Sequence, residues 1–249
     1  MTLGKVFIGT SGWSYNGWLG LFYPENLSKN KWLEYYSNFF NTVEVNSSFY
    51  HLPKKQSLKN WAEQTPTNFV FTVKVSRYIT HIKKLSECEQ SFKKLFDLTL
   101  KLGKKLKIFL FQMPPSFKKD TIKLKNFLEI LNYQTISKDF KFVFEFRNES
   151  WFCSEVYDLL NDLDVGIVIS SSPSYPYHEV VTGNICYIRM HGSNQLYSSK
   201  YSVEELKKIS ILIKNNVQNG IDAYVYFNND INAYAVDNAK KLKELCEIL

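Results

Sequence analysis

Eight short apolar runs, separated by stretches of helical periodicity, constrain this chain more than any other feature. They fall at residues 6–10, 42–46, 69–75, 107–112, 140–147, 165–169, 185–191 and 223–228. The fifth alternates strictly, with Phe140, Phe142, Phe144 and Phe146 on one face and Lys141, Val143, Glu145 and Arg147 on the other. That is the pattern of a strand whose successive side chains point to opposite sides. Its aromatic face suits packing under helices, and its charged end suits the mouth of a barrel.

The intervening stretches carry apolar residues at helical spacing. Trp32, Tyr35, Tyr36 and Phe39 mark a helix from about residue 28, and a short one is expected over 57–64. A capping box, Ser86-x-x-Glu89, predicts the start of a helix with Phe92, Leu95, Phe96 and Leu102, which Gly103 stops. Helices are also predicted over 121–131 and 154–163. A second capping box, Ser202-x-x-Glu205, opens one with Leu206, Ile209, Ile213 and Val217, and a last helix carries Ala239, Leu242, Leu245 and Leu249. Only a loop, 170–183, separates strands six and seven, so the helix after strand six is reduced or missing. Such alternation means parallel strands with helical crossovers. Eight units in 249 residues predict one α/β domain over 1–249, a single (β/α)8 TIM-type barrel. No GxGxxG or GxxxxGK[ST] supplies a nucleotide-phosphate cradle.

Several classes are set aside. No uncharged apolar run approaches the ~20 residues of a membrane span, and the first strand begins too early for a secretory leader. Cys88, Cys153, Cys186 and Cys246 are scattered without ligand spacing, which reads as reduced thiols in a cytoplasmic protein. The net charge of +7 permits anionic partners. Lys101, Lys104, Lys105 and Lys107 lie at a helix end opposite the expected mouth, where they complement a helix dipole.

Chemistry in such barrels sits at the C-terminal strand ends. Last in their strands, on the inward parity, come Thr10, Glu44, Asn46, Lys74, Gln112, Glu145, Arg147, Arg189, His191 and Asn228. Any one alone would be a structural hydrogen bond. Repeated around one rim they point to a ligand site, because burying polar groups costs free energy unless they are paired. Glu44 and Glu145 against Lys74, Arg147 and Arg189 leave a balance of +1 with His191 neutral, and arginine suits phosphate or carboxylate. The reading is an enzyme acting on a small phosphorylated or carboxylated metabolite. Lys74, Arg147 and Arg189 bind it with Asn46, Gln112, Asn228 and Trp13, while Glu44, Glu145 or His191 move protons. His81 ranks just below His191, and His51 and His178 are ordinary loop residues. Trp13, Tyr15 and Trp18 either stack a ligand or plug the barrel end, and Trp151 is balanced between those readings.

No cofactor or metal is expected, since three nearby cations repel a dication and no HxH or HExxH concentrates ligands. A nucleic-acid-binding module is the alternative, in which the same cations grip phosphates. A carbohydrate-active hydrolase built on the two glutamates is the second alternative. Their cationic neighbours weigh against it, because one carboxyl would have to stay protonated.

Six motifs carry a resemblance that spans nearly the whole chain: Gly9-Thr10-Ser11-Gly12-Trp13, Val43-Glu44-Val45-Asn46-Ser47-Ser48-Phe49-Tyr50, Phe111-Gln112-Met113-Pro114-Pro115, Glu145-Phe146-Arg147-Asn148-Glu149-Ser150-Trp151, Tyr187-Ile188-Arg189-Met190-His191-Gly192, and Tyr226-Phe227-Asn228-Asn229 with Ala235 and Ala239. With Thr80-His81, they resemble the YecE-like family, domain of unknown function 72. The resemblance implies a TIM-type barrel of bacterial, cytoplasmic character and supplies no reaction. Relatives often carry Asp after strand six where this chain has Ser170-Ser171, so a mechanism needing a carboxylate there does not carry over.

Overall fold

The computed structural model describes residues 2–135 and 140–247. Its strands are β1 (Val6–Thr10), β2 (Thr42–Val45), β3 (Val70–Lys74), β4 (Leu106–Gln112), β5 (Lys141–Glu145), β6 (Val165–Ser171), β7 (Ile185–Met190) and β8 (Asp222–Phe227). All are parallel, in the order β1-β8-β7-β6-β5-β4-β3-β2. With the helices outside, this is the expected (β/α)8 TIM-type barrel, nearly closed. The helices are α1 (Trp32–Ser37), α2 (Ser47–Tyr50), α3 (Lys55–Gln64), α4 (Glu89–Thr99), α5 (Thr121–Thr135), α6 (Ser154–Asp162), α7 (Val203–Gln218) and α8 (Tyr234–Glu247). No helix links β6 to β7, as the sequence predicts. Leu249, expected on the last helix, lies outside the described residues. Among those described, no helix is long and apolar enough to cross a membrane.

Strand alternation sorts the interior into two cores. Inside the barrel lie Phe7, Val70, Ile108, Leu110, Val143, Val168, Ile185, Tyr187, Tyr224 and Tyr226. The opposite parity, including Phe109, Phe111, Phe142 and Phe144, packs outward under the helices. Phe144 stacks on Phe111 at 4.8 Å and on Phe146 at 5.7 Å. The aromatic face of β5 therefore buries as its pattern requires.

One local expectation is corrected. Ser86 does not cap α4, which begins at Glu89 with Cys88 before it and no side-chain cap. Leu85 and Cys88 are drawn into the core instead, and burying two apolar side chains outweighs the ~1 kcal/mol of a cap. Residues 47–50 form the helical turn α2, pinned by the Ser48 hydroxyl on the carbonyls of Val45 and Lys74. Lys105, half-buried, donates its ammonium to the Ala62 and Thr65 carbonyls and so complements the C-terminus of α3. The Ser202–Glu205 capping box forms in full at α7.

No ladder joins β1 to β2; beyond a single bridge at Ser11–Glu44 the seam is closed by side chains. The Tyr36 hydroxyl, reaching in from α1, accepts from the Thr10 amide at 2.9 Å and donates to the Thr42 carbonyl at 3.0 Å. Gly9 makes room for this, since a Cβ there would stand 2.2 Å from the Thr42 carbonyl oxygen. Tyr36→Phe strips both backbone groups of their partner, each worth about 1–3 kcal/mol when buried. Urea unfolding should show a loss of roughly 2–4 kcal/mol. A change within about 0.5 kcal/mol, as for a surface substitution, would mean the seam closes by other means.

Candidate functional site

Arg189, on the inward face of β7, is fully buried and turned toward the barrel axis. Its Nε and one terminal nitrogen hold the Glu44 carboxylate of β2 at 3.1 and 2.7 Å. The other terminal nitrogen pairs with Glu145 of β5. Glu44 also accepts from the hydroxyls of Ser11 at 2.8 Å and Tyr187 at 2.7 Å. Glu145 accepts from Arg147 Nε at 2.8 Å and from His191 Nε2 at 3.2 Å. Asn228 donates its amide to His191 Nδ1 at 3.2 Å, so the ring's proton sits on Nε2 and the imidazole is neutral. Burial holds His191 down at about 4, with the Arg189 charge adding to it against the pull of Glu145. For Glu145 burial pushes upward, but Arg147, Arg189 and His191 outweigh it and hold the carboxyl well below its usual range.

Lys74 ends β3 on the same face. It is 9% exposed, and its ammonium makes no hydrogen bond or ion pair among the described residues. It lies 4.1 Å over the Phe49 ring, supplied by α2. Burial and the nearby Arg189 push it down to about 7, with Glu145 and Glu44 opposing. Beside it His81, edge-on to Phe49 at 5.1 Å, is pushed down to about 4 by burial and by Lys74. Gln112 turns its amide toward His81 Nε2 at 3.4 Å. Arg147 stacks on Tyr175 at 3.9 Å and donates to that hydroxyl, leaving one terminal nitrogen without a partner among the described residues.

Four buried side-chain oxygens lack a hydrogen-bond partner among the described residues: Asn46 Oδ1, Ser170 Oγ, Asn229 Oδ1 and Asp230 Oδ1. All four sit at the ends of strands β2, β6 and β8, on the mouth side. Asp230 is pushed up to about 7 by burial, with Tyr15 and Arg189 opposing. Among the described residues no group of three or more histidine, cysteine or acidic side chains is placed to hold a metal.

The structure thus brings together Glu44, Glu145, His191, Lys74, Arg147, Arg189, Gln112 and Asn228. It sets Trp13 apart, in a neighbouring groove of about 460 Å³ shared with Tyr15, Trp61, Asn46, Asn60 and Gln64. Trp18 and Trp151 are buried, donating to the Asp230 and Phe117 carbonyls, so each is a plug rather than a platform. His178 pairs with Glu149 rather than joining this cluster. Sequence reasoning missed Asp230, Ser11 and Tyr175. Asp230 directly follows Asn228-Asn229, and Ser11 follows a strand end, so reading two residues past each strand would have found both. Tyr175 lies in an aperiodic loop that gives no signal.

A family model described as protein of unknown function DUF72 matches residues 7–248. The UPF0759 protein YunF of Bacillus subtilis is 29% identical, over 98% of this chain and 95% of its own. The crystal structure of a DUF72 family protein from Thermotoga maritima superposes with a TM-score of 0.84 at 31% identity, covering 98% of this chain and 99% of its own. A D-psicose 3-epimerase structure, at TM-score 0.59 and 11% identity over 98% of each chain, shares the fold alone.

Two measurements probe the cluster. Arg189→Met leaves the buried Glu44 without a cation and Glu145 with Arg147 alone, and should cost about 3–5 kcal/mol; a loss below about 1 kcal/mol would mean Glu44 finds another partner. Lys74 gives a pH signature. Its folded value near 7 lies below the unfolded ~10.4, so between them the unfolded chain binds the extra proton and stability rises with pH. The wild type minus Lys74→Met difference in unfolding free energy should climb by up to about 1.4 kcal/mol per pH unit from about 7 to 10. A flat difference would identify an ordinary lysine.

Proposed function

The chain belongs to the DUF72 family, and on that premise we propose that it is an enzyme of the cytoplasm acting on a small phosphorylated or carboxylated metabolite held in the barrel mouth. The observation that carries this reading is the concentration of unmatched polar groups at one end of the barrel. Native interiors pair nearly all buried polar atoms, yet four oxygens here, from Asn46, Ser170, Asn229 and Asp230, have no partner among the described residues. The oxygens of Asn46, Ser170 and Asp230, on the inward parity of their strands, suit the hydroxyl or amine donors of a ligand. The Lys74 ammonium and the free nitrogen of Arg147 suit its anionic group. Arg189 has no arm to spare, so in this reading it shapes the site rather than clamping the anion. Proton transfer falls to Asp230, whose acidity is near neutrality, with neutral His81 beside Lys74. Glu44, Glu145 and His191, all fully buried, set the field in which those groups act. The four unpaired thiols suit a reducing compartment.

The alternatives draw less support. A nucleic-acid track needs cations continuing past the mouth, and the adjoining groove offers Lys29 as its one lysine. A glycoside hydrolase using the two glutamates needs a protonated carboxyl, whereas Glu145 is held ionised.

Phosphorylated and carboxylated metabolites should raise the thermal stability of the wild type. A ligand at 100 times its Kd adds about 2.7 kcal/mol. The gain should vanish in Arg147→Gln and Lys74→Met. If no such compound shifts the wild type more than these variants, the anion reading fails.

A further inference from the structure

We propose that Lys74 forms an imine with a carbonyl-bearing substrate in the barrel mouth. This rests on the mouth being the ligand site and narrows the substrate to aldehydes, ketones or 2-oxo acids that also carry an anionic group. Among the described residues, Lys74 is the one cation of the mouth without a carboxylate partner. Arg189 takes Glu44 and one oxygen of Glu145, and Arg147 takes the other. A lysine recruited for charge balance would pair with one of them; this one is held over an apolar ring instead. The charged and titratable groups around it are Glu44 from β2, His81 beyond β3, Glu145 and Arg147 at the end of β5, and Arg189 from β7.

The environment keeps the amine reactive. Only a neutral amine has the lone pair that attacks a carbonyl carbon. At pH 7 an ordinary lysine is neutral in roughly one molecule in 2,500, whereas Lys74, pushed down to about 7, is neutral in about half. In the reaction the C–N bond forms as the carbonyl π pair moves to oxygen, which takes up the proton lost by nitrogen and gives a carbinolamine. That hydroxyl then takes a second proton and departs as water while the nitrogen lone pair closes the C=N bond, giving the protonated imine, whose N–H proton returns to the carrier when the neutral imine forms. Amine and carbonyl become imine and water, with no oxidant or reductant consumed. His81, neutral and against the same Phe49 ring as Lys74, is placed to carry the proton. Once the imine is protonated, ionised Glu145 stabilises its charge.

The test is reductive trapping with sodium borohydride at pH 7 in the presence of glyoxylate, pyruvate or acetaldehyde, followed by peptide mapping. Glyoxylate or pyruvate should label Lys74 at least about a hundredfold faster than surface lysines, and Lys74→Arg should show no label at that position. Because the map is read on the wild type, the result stands even if the variant folds poorly. Labels spread over surface lysines with Lys74 untouched would overturn the imine. If phosphorylated or carboxylated compounds stabilise the protein while Lys74 stays unlabelled, the imine falls and the anion site survives. If acetaldehyde labels Lys74 as fast as glyoxylate, the imine stands and the anion reading falls.

Discussion

A buried guanidinium held between two buried carboxylates is the interaction on which the rest of this barrel depends. Desolvating three charges costs several kcal/mol per ion, and good geometry is what offsets that. Arg189 meets the condition by gripping Glu44 through two nitrogens and Glu145 through the third. Two opposite charges ~4 Å apart attract by about 4 kcal/mol at an effective dielectric of ~20. The triad ties β7 to β2 and β5, strands that share no ladder with it. A layer of hydroxyls lies beneath. Tyr187 donates upward to Glu44, and Tyr226 bonds the hydroxyls of Thr42 and Thr72 at 2.6 and 2.9 Å. The charges therefore rest on a polar floor, with the apolar interior below it.

The triad also decides which groups remain for a ligand. With Arg189 saturated and Glu145 shared among Arg189, Arg147 and His191, the cluster is close to neutral without Lys74. The lysine is left in a balanced field rather than facing a counter-ion, and burial then dominates its acidity. An arginine at the centre of a site can thus matter most by occupying carboxylates that a neighbour would otherwise use.

Much of this was legible from alternation alone. Parity along β3, β5 and β7 placed Lys74, Glu145 and Arg189 on one face, because a strand side chain has two directions to choose from. Parity does not say which partner a charge chooses. Arg189 could face a ligand or two glutamates from the same position, and that depends on distances between strands far apart in sequence. Loops were harder still. Ser86 fits a capping pattern, but the pull of Leu85 and Cys88 into the core moves the helix start, a tertiary effect outranking a local one. Trp13 follows β1 as a mouth residue would, yet packs edge-on against Trp61 of α3 at 5.0 Å. Nothing in the pattern of β1 foretells where its loop turns.

The seam between β1 and β2 has a mechanical consequence. Seven strand junctions are ladders, stiff in shear because several amides must break together. The eighth is spanned by a phenol carried on a helix outside the wall. Two residues along from its contacts at Thr10 and Thr42 lie Gly12 and Glu44, joined by an amide-to-carbonyl bond of 2.8 Å. A tilt of α1 would move the Tyr36 oxygen and slide one edge of the seam past the other. The carboxylate gripped by Arg189 would ride with it. Any such slide would run along one line of the wall, the junction without a ladder, and would begin at a helix packed outside the strands.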